Sequence, residues 1–106
     1  MTDAEVQKIG DDIVDVLRSI YDPEIPVSIY ELGLIYDVQA STDGDVKILM
    51  TLTSPNCPVA ESLPEEVKQK TGTVTGVNEV DVEITFEPTW TKDMMSEEAM
   101  LELGFL

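Results

Sequence analysis

The hydrophobic period changes at Gly33, and this change constrains the fold more than any other feature of the chain. Before it, apolar residues recur at three- and four-residue steps; after it, they alternate. Leu34, Tyr36, Val38 and Ala40 alternate with Ile35, Asp37 and Gln39. Ser41-Thr42-Asp43-Gly44 then carries an Asp-Gly turn signal. Beyond it, Val46, Ile48, Met50 and Leu52 alternate with Lys47, Leu49, Thr51 and Thr53. Two alternating runs around such a turn specify a β-hairpin. A third run follows later, with Val80, Val82, Ile84 and Phe86 expected inward and Asp81, Glu83, Thr85 and Glu87 outward.

Helices are expected between and around these strands. Thr2 and Glu5 have capping-box spacing, and Val6, Ile9, Ile13, Val16, Leu17 and Ile20 form one apolar face, so a helix is expected from about Asp3 to Tyr21. It should stop there because Asp22 precedes Pro23, which disfavours helical geometry. The stretch DPEIPVSIYELG has room for one short turn from Ser28 to Leu32, stopped by Gly33. The segment PVAESLPEEVKQKTG is helical in composition and allows two starts. One is at Pro58 with a kink at Pro64; the other is at Ser62, which forms an S-x-x-E box with Glu65. The first is preferred. A last short helix has Ser96 as cap, Glu97 and Glu98 in its first turn and Gly104 as stop. The expected fold is α+β in the order α-β-β-α-β-α, a small mixed three-stranded sheet with helices packed on it. The crossover from second to third strand should be right-handed. A length of 106 residues without repeat or linker fits a single domain, 1–106.

Composition excludes several functions. Hydrophobic residues make up 42%, enough for a core. No apolar run approaches the roughly 20 residues of a membrane span. The start, MTDAEVQK, carries acids where a signal peptide would be basic, so a cytoplasmic location is expected. Twenty-two Asp plus Glu stand against six Lys plus Arg, a formal net charge of -16. That surface repels phosphate backbones and anionic lipid, which disfavours nucleic-acid and membrane partners; it serves solubility and would favour a basic partner protein. No histidine is present, so Cys-His and Ser-His-Asp machinery are absent and an ordinary hydrolase is disfavoured.

One residue type remains for soft chemistry. Cys57 is the chain's single cysteine, set in TLTSPNCP after the second strand and before or within the following helix. At a helix start its thiolate would gain from backbone N–H groups and the dipole, whereas a lone cysteine is more often a small buried hydrophobe. One thiol cannot fill a metal's coordination sphere, so a closed zinc site or a cluster held within one subunit is disfavoured. Asp22 and Glu24 could bind a hard cation with Glu31 or Asp37, although Asp-Pro more commonly opens a turn. Met94, Met95 and Met100 could form a contact surface with Trp90, but packing under the last helix explains them better.

Four stretches, DPEIPVSIYELGLIYDV, TLTSPNCPVAESLPEEV, GVNEVDVEITFEPTWT and DMMSEEAMLELGF, together resemble the SufT-like family of small iron–sulfur assembly proteins. That family is related to the phenylacetate-oxygenase assembly protein PaaD and to eukaryotic cytosolic iron–sulfur targeting factors. The resemblance runs from about Ile13 onward. It implies an accessory, non-enzymatic role in cluster assembly or delivery, with the assembly machinery and client apoproteins as partners. By the same resemblance Cys57 matches the family's loop cysteine, and Asp22, Pro23 and Glu24 match its acidic motif. Cys57 would then contact iron, cluster or client, with the metal bound transiently or shared across subunits. Thr51, Thr53 and Ser54 would shape the loop and donate hydrogen bonds to the thiolate, and Asp22 and Glu24 would lie nearby. PaaD-like members carry a further cysteine-rich region, absent here, so the shorter branch is expected. A homodimer through edge strands stays open. Two alternatives remain: an acidic adaptor in which Cys57 only packs, and a thiol enzyme whose base would be a carboxylate or Lys92.

Overall fold

The computed structural model describes residues 2–21, 27–52 and 62–104. Along the chain these form α1 (Asp3–Leu17), β1 (Ile35–Ala40), β2 (Val46–Met50), α2 (Ser62–Thr71), β3 (Val80–Ile84), a 3-10 turn (Lys92–Met94) and α3 (Glu97–Leu103). The strands make one mixed sheet in the order β1-β2-β3, antiparallel between β1 and β2 and parallel between β2 and β3. The α+β order expected from the hydrophobic periods is the order found.

α1 begins as its sequence specifies. The Glu5 N–H donates to the Thr2 hydroxyl at 3.2 Å, and the Thr2 N–H donates to the Glu5 carboxylate at 3.3 Å, which satisfies two otherwise orphan donors. Ile9, Ile13 and Leu17 face inward from it. The helix ends at Leu17, earlier than Tyr21. Its exit tightens to three-residue hydrogen bonds, from Ser19 N–H to Val16 O and from Ile20 N–H to Leu17 O. The Ile20 carbonyl is thereby released to accept the Ile29 N–H at 2.8 Å, and Tyr21 bridges Ser28 as an isolated antiparallel pair.

The turn from Ser28 forms as expected. Leu32 N–H donates to Ser28 O, Gly33 N–H to Tyr30 O and Leu34 N–H to Ile29 O, a Schellman closure with Gly33 at φ 82°. Ser28 caps it by accepting the Glu31 N–H at 3.2 Å.

The sheet departs from simple alternation in two places. A register shift between Ile35 and Asp37 pairs Ile35 with Met50 and Val38 with Ile48. One extra residue reverses the parity of the strand. Ile35 therefore packs against the core beside Val38 and Ala40, in the place expected for Tyr36. The Tyr36 hydroxyl instead donates to Pro88 O at 2.7 Å. At the other end, β3 pairs with β2 only as far as Ile84–Met50, followed by one bond from Thr85 N–H to Met50 O. The Thr85 hydroxyl then accepts the Glu87 N–H and turns the chain, so Phe86 is 38% exposed rather than inward.

α1, the 28–34 turn, all three strands, α2 and α3 share one cluster of buried or partly buried apolar residues, including Ile13, Leu17, Ile29, Leu34, Ile48, Met50, Val67 and Ala99. Met95 is buried in it, with Trp90 and Met100 packed against it, as expected; Met94 is not part of it, and its sulfur lies 3.5 Å from the Tyr36 hydroxyl. α2 as described carries Pro64 as its third residue, where a missing N–H costs little. Ser62 is itself helical. The preferred start at Pro58 lies outside the described residues. α3 has the expected ends: the Ser96 hydroxyl accepts the Ala99 N–H at 3.1 Å, and Gly104 closes it at φ 79°.

Candidate functional site

Of the residues expected at a site, Thr51 is described. Asp22, Glu24, Thr53, Ser54 and Cys57 lie outside the described residues. Thr51 is fully buried. Its N–H donates to Leu34 O at 2.8 Å, and its hydroxyl donates to the neighbouring Leu52 carbonyl at 3.4 Å. It thus ties the exit of β2 to the end of the Gly33 turn, and its hydroxyl meets its hydrogen-bonding need on the backbone.

The described residues that flank the two acidic and cysteine-bearing stretches are joined by that turn. Ile20 and Tyr21, which precede residue 22, bond to Ile29 and bridge Ser28. Thr51, which precedes residue 53, bonds to Leu34. The seven residues of the 28–34 turn therefore hold the entry to both stretches at one end of the molecule, on the C-terminal side of β2.

The turn is itself clamped from the C-terminal part of the chain, a connection that no local sequence signal revealed. Trp90 Nε1–H donates to Leu32 O at 2.7 Å, and Ser96 N–H donates to Glu31 O at 2.8 Å. Both span some sixty residues of chain and satisfy carbonyls that a turn leaves orphaned. The Met94 backbone lies so close to Gly33 that a Cβ there would fall onto the Met94 carbonyl. From α1, Arg18 Nε lies 3.5 Å from Glu31 Oε1, and its guanidinium carbon is 5.1 Å from the Tyr30 ring centre.

These contacts bear on the hard-cation alternative. The Glu31 carboxylate is engaged by Arg18, and Asp37 accepts from Gln39 Nε2 at 2.9 Å. Among the described residues, no group of three or more His, Cys, Asp or Glu is arranged to hold a metal ion.

Comparison with known proteins places this fold. A family model described as "Iron-sulfur cluster assembly protein" matches residues 10–84. The chain belongs to that family. It is 60% identical over 102 residues to a Porphyromonas gingivalis protein named "Fe-S protein maturation auxiliary factor", covering 96% of this chain and 97% of that one. It is 38% identical over 85 residues to the Staphylococcus aureus "Fe-S protein maturation auxiliary factor SufT", covering 80% of this chain and 97% of that one. Among solved structures, a domain of unknown function from Bacillus anthracis superposes with a TM-score of 0.90 at 35% identity, covering 99% of this chain and all of that one. The resemblance drawn from the sequence motifs is confirmed at the level of family. The family match ends at Ile84, so the clamp formed by Trp90, Met94 and Ser96 lies beyond it. Among the described residues, no helix is long and apolar enough to cross a membrane.

Proposed function

We propose that this chain is a cytoplasmic auxiliary factor in iron–sulfur protein maturation, a single domain that assists cluster assembly or delivery to client apoproteins and turns over no substrate of its own. The observation that carries this reading is the near full-length 60% identity to the Porphyromonas gingivalis maturation factor. Cys57 is the thiol that contacts iron, cluster or client. A thiolate is the natural protein ligand for such clusters, and one ligand per chain suits transient contact, or a cluster shared between two subunits, better than storage.

Thr51 supports this reading from below. Buried, and bonded through its backbone to Leu34, it anchors the chain two residues before Thr53 and six before Cys57. In this proposal Thr53 and Ser54 shape the stretch around the thiol, and Asp22 and Glu24 act beside it, because both stretches depart from the same clamped turn. The cluster is cargo, and the partners are the assembly machinery and the client apoproteins.

The test is anaerobic incubation with iron and sulfide, desalting and absorption spectroscopy, on wild type and Cys57→Ser in parallel with maturation of a client enzyme in cells. A chromophore retained by wild type alone, or a client activity lost in Cys57→Ser, supports the thiol contact. Full client maturation by a folded Cys57→Ser protein overturns it, and the acidic adaptor reading then replaces it.

A further inference from the structure

A groove of about 300 Å³ opens between the end of α1, the 28–34 turn and α3. Tyr21, Val27 and Ala99 give it apolar lining, and Glu31, Glu98 and Glu102 give it carboxylates. Arg18 is the single cation in its lining and is already engaged by Glu31 and the Tyr30 ring. Glu98 and Glu102 stand four residues apart on α3, where like charges repel across one helical turn. Neither has an ion pair among the described residues. One of the three large apolar residues exposed among the described ones is also here: Tyr21, 58% exposed, lines the groove.

Exposed apolar side chains cost solubility unless they meet something, and an unneutralised carboxylate pair costs helix stability unless a cation meets it. One ligand relieves both. We propose that this groove docks a basic, amphipathic segment of a partner protein. The segment sets an Arg or Lys between Glu98 and Glu102 and lays an apolar residue on Tyr21, Val27 and Ala99. Its charge is complementary at long range as well, because the formal charge of -16 attracts a basic segment before contact. A second copy of this chain is disfavoured as occupant, since an isologous contact would press the same acidic α3 faces together. The docking surface uses no residue of the cysteine stretch, so it stands apart from the role of Cys57.

The test is fluorescence anisotropy of a labelled synthetic peptide of Leu and Arg in helical spacing, titrated with the full chain at low ionic strength. Three folded variants are compared with wild type: Glu98→Gln with Glu102→Gln, Tyr21→Ala, and, as a control of equal charge change, Asp37→Asn with Asp81→Asn on the far sheet face. The groove variants are expected to weaken binding at least about tenfold and the control less than about twofold. In a nitrogen-15 NMR titration of wild type, Tyr21, Glu98 and Ala99 should shift first. Equal losses in groove and control variants would reduce the effect to net charge and overturn the proposal. So would failure of wild type to bind, or a dimer in sedimentation that Tyr21→Ala dissociates.

Discussion

Two glycines show how differently one residue type can be used. Gly33 sits at φ 82° with the Met94 carbonyl where its Cβ would be, at the meeting point of the 28–34 turn and the C-terminal clamp. Gly33→Ala combines a left-handed backbone penalty of roughly 1–2 kcal/mol with a clash against backbone that cannot rotate away. It is expected to lower stability by about 2 kcal/mol or more in urea denaturation. Gly10 lies inside α1, and a Cβ there meets nothing within 4 Å. Gly10→Ala should therefore raise stability by about 0.5–1 kcal/mol through helix propensity alone. A destabilised Gly10→Ala would contradict the open space described there. Gly33 was legible as a stop signal, because the hydrophobic period changes at it. The approach of Met94 was not, because sixty residues of chain separate the two and only packing brings them together.

At the scale of elements, sequence patterns located each α-helix and strand among the described residues but misjudged where two of them end and missed a bulge in a third. α1 stops early because Ile20 gives its carbonyl to Ile29, a partner beyond the proline-rich stretch. β3 stops early because β2 offers no further pairing, although the alternation in sequence continues through Phe86. The bulge in β1 exchanges Ile35 for Tyr36 without changing the residue pattern at all, so alternation alone could not report it. Local caps were legible because donor and acceptor lie within three residues. The Thr2–Glu5 box also makes a testable statement about pH. The Glu5 carboxyl is held below its ordinary value, first by the hydrogen bond from the Thr2 N–H and then by that from the Thr2 hydroxyl. A lowered folded-state value means that this contribution is complete above the unfolded glutamate's titration and is lost as pH falls through the folded one. Helicity of the wild type should therefore fray at the start of α1 only in acid below the usual glutamate range. Glu5→Gln should remove that step from the amide NMR shifts of residues 3–6, and persistence of the step would assign it to another carboxylate.

The candidate site was legible as chemistry and not as geometry: a single thiol between two strand and helix signals, and acids around Pro23, stand out in sequence, while the clamped turn that gathers their flanks does not. Charge belongs to the whole molecule. Twenty-two acids oppose six bases, and four ion pairs are found among the described residues, Lys8–Asp12, Arg18–Glu31, Lys47–Glu83 and Lys70–Glu66. Salt weakens those pairs, yet exposed pairs are worth only about 0–1 kcal/mol each. Salt also weakens the repulsion among the excess acids. The Debye length is about 30 Å at 0.01 M, longer than the two shorter extents of the molecule, 27 and 22 Å, and about 8 Å at 0.15 M. At low salt nearly every acid therefore repels every other; at physiological salt only neighbours do. Relief of repulsion should win, and the melting temperature should climb as sodium chloride rises from about 0.01 to about 0.15 M. About 1 kcal/mol of relief would raise it by roughly 4–8 °C for a chain of this size. The rise should flatten once the screening length drops below the spacing of neighbouring carboxylates, which separates screening from the steady gain that excluded salts give. A melting temperature that falls over the same range would mean that the four ion pairs outweigh the excess acids in holding the fold.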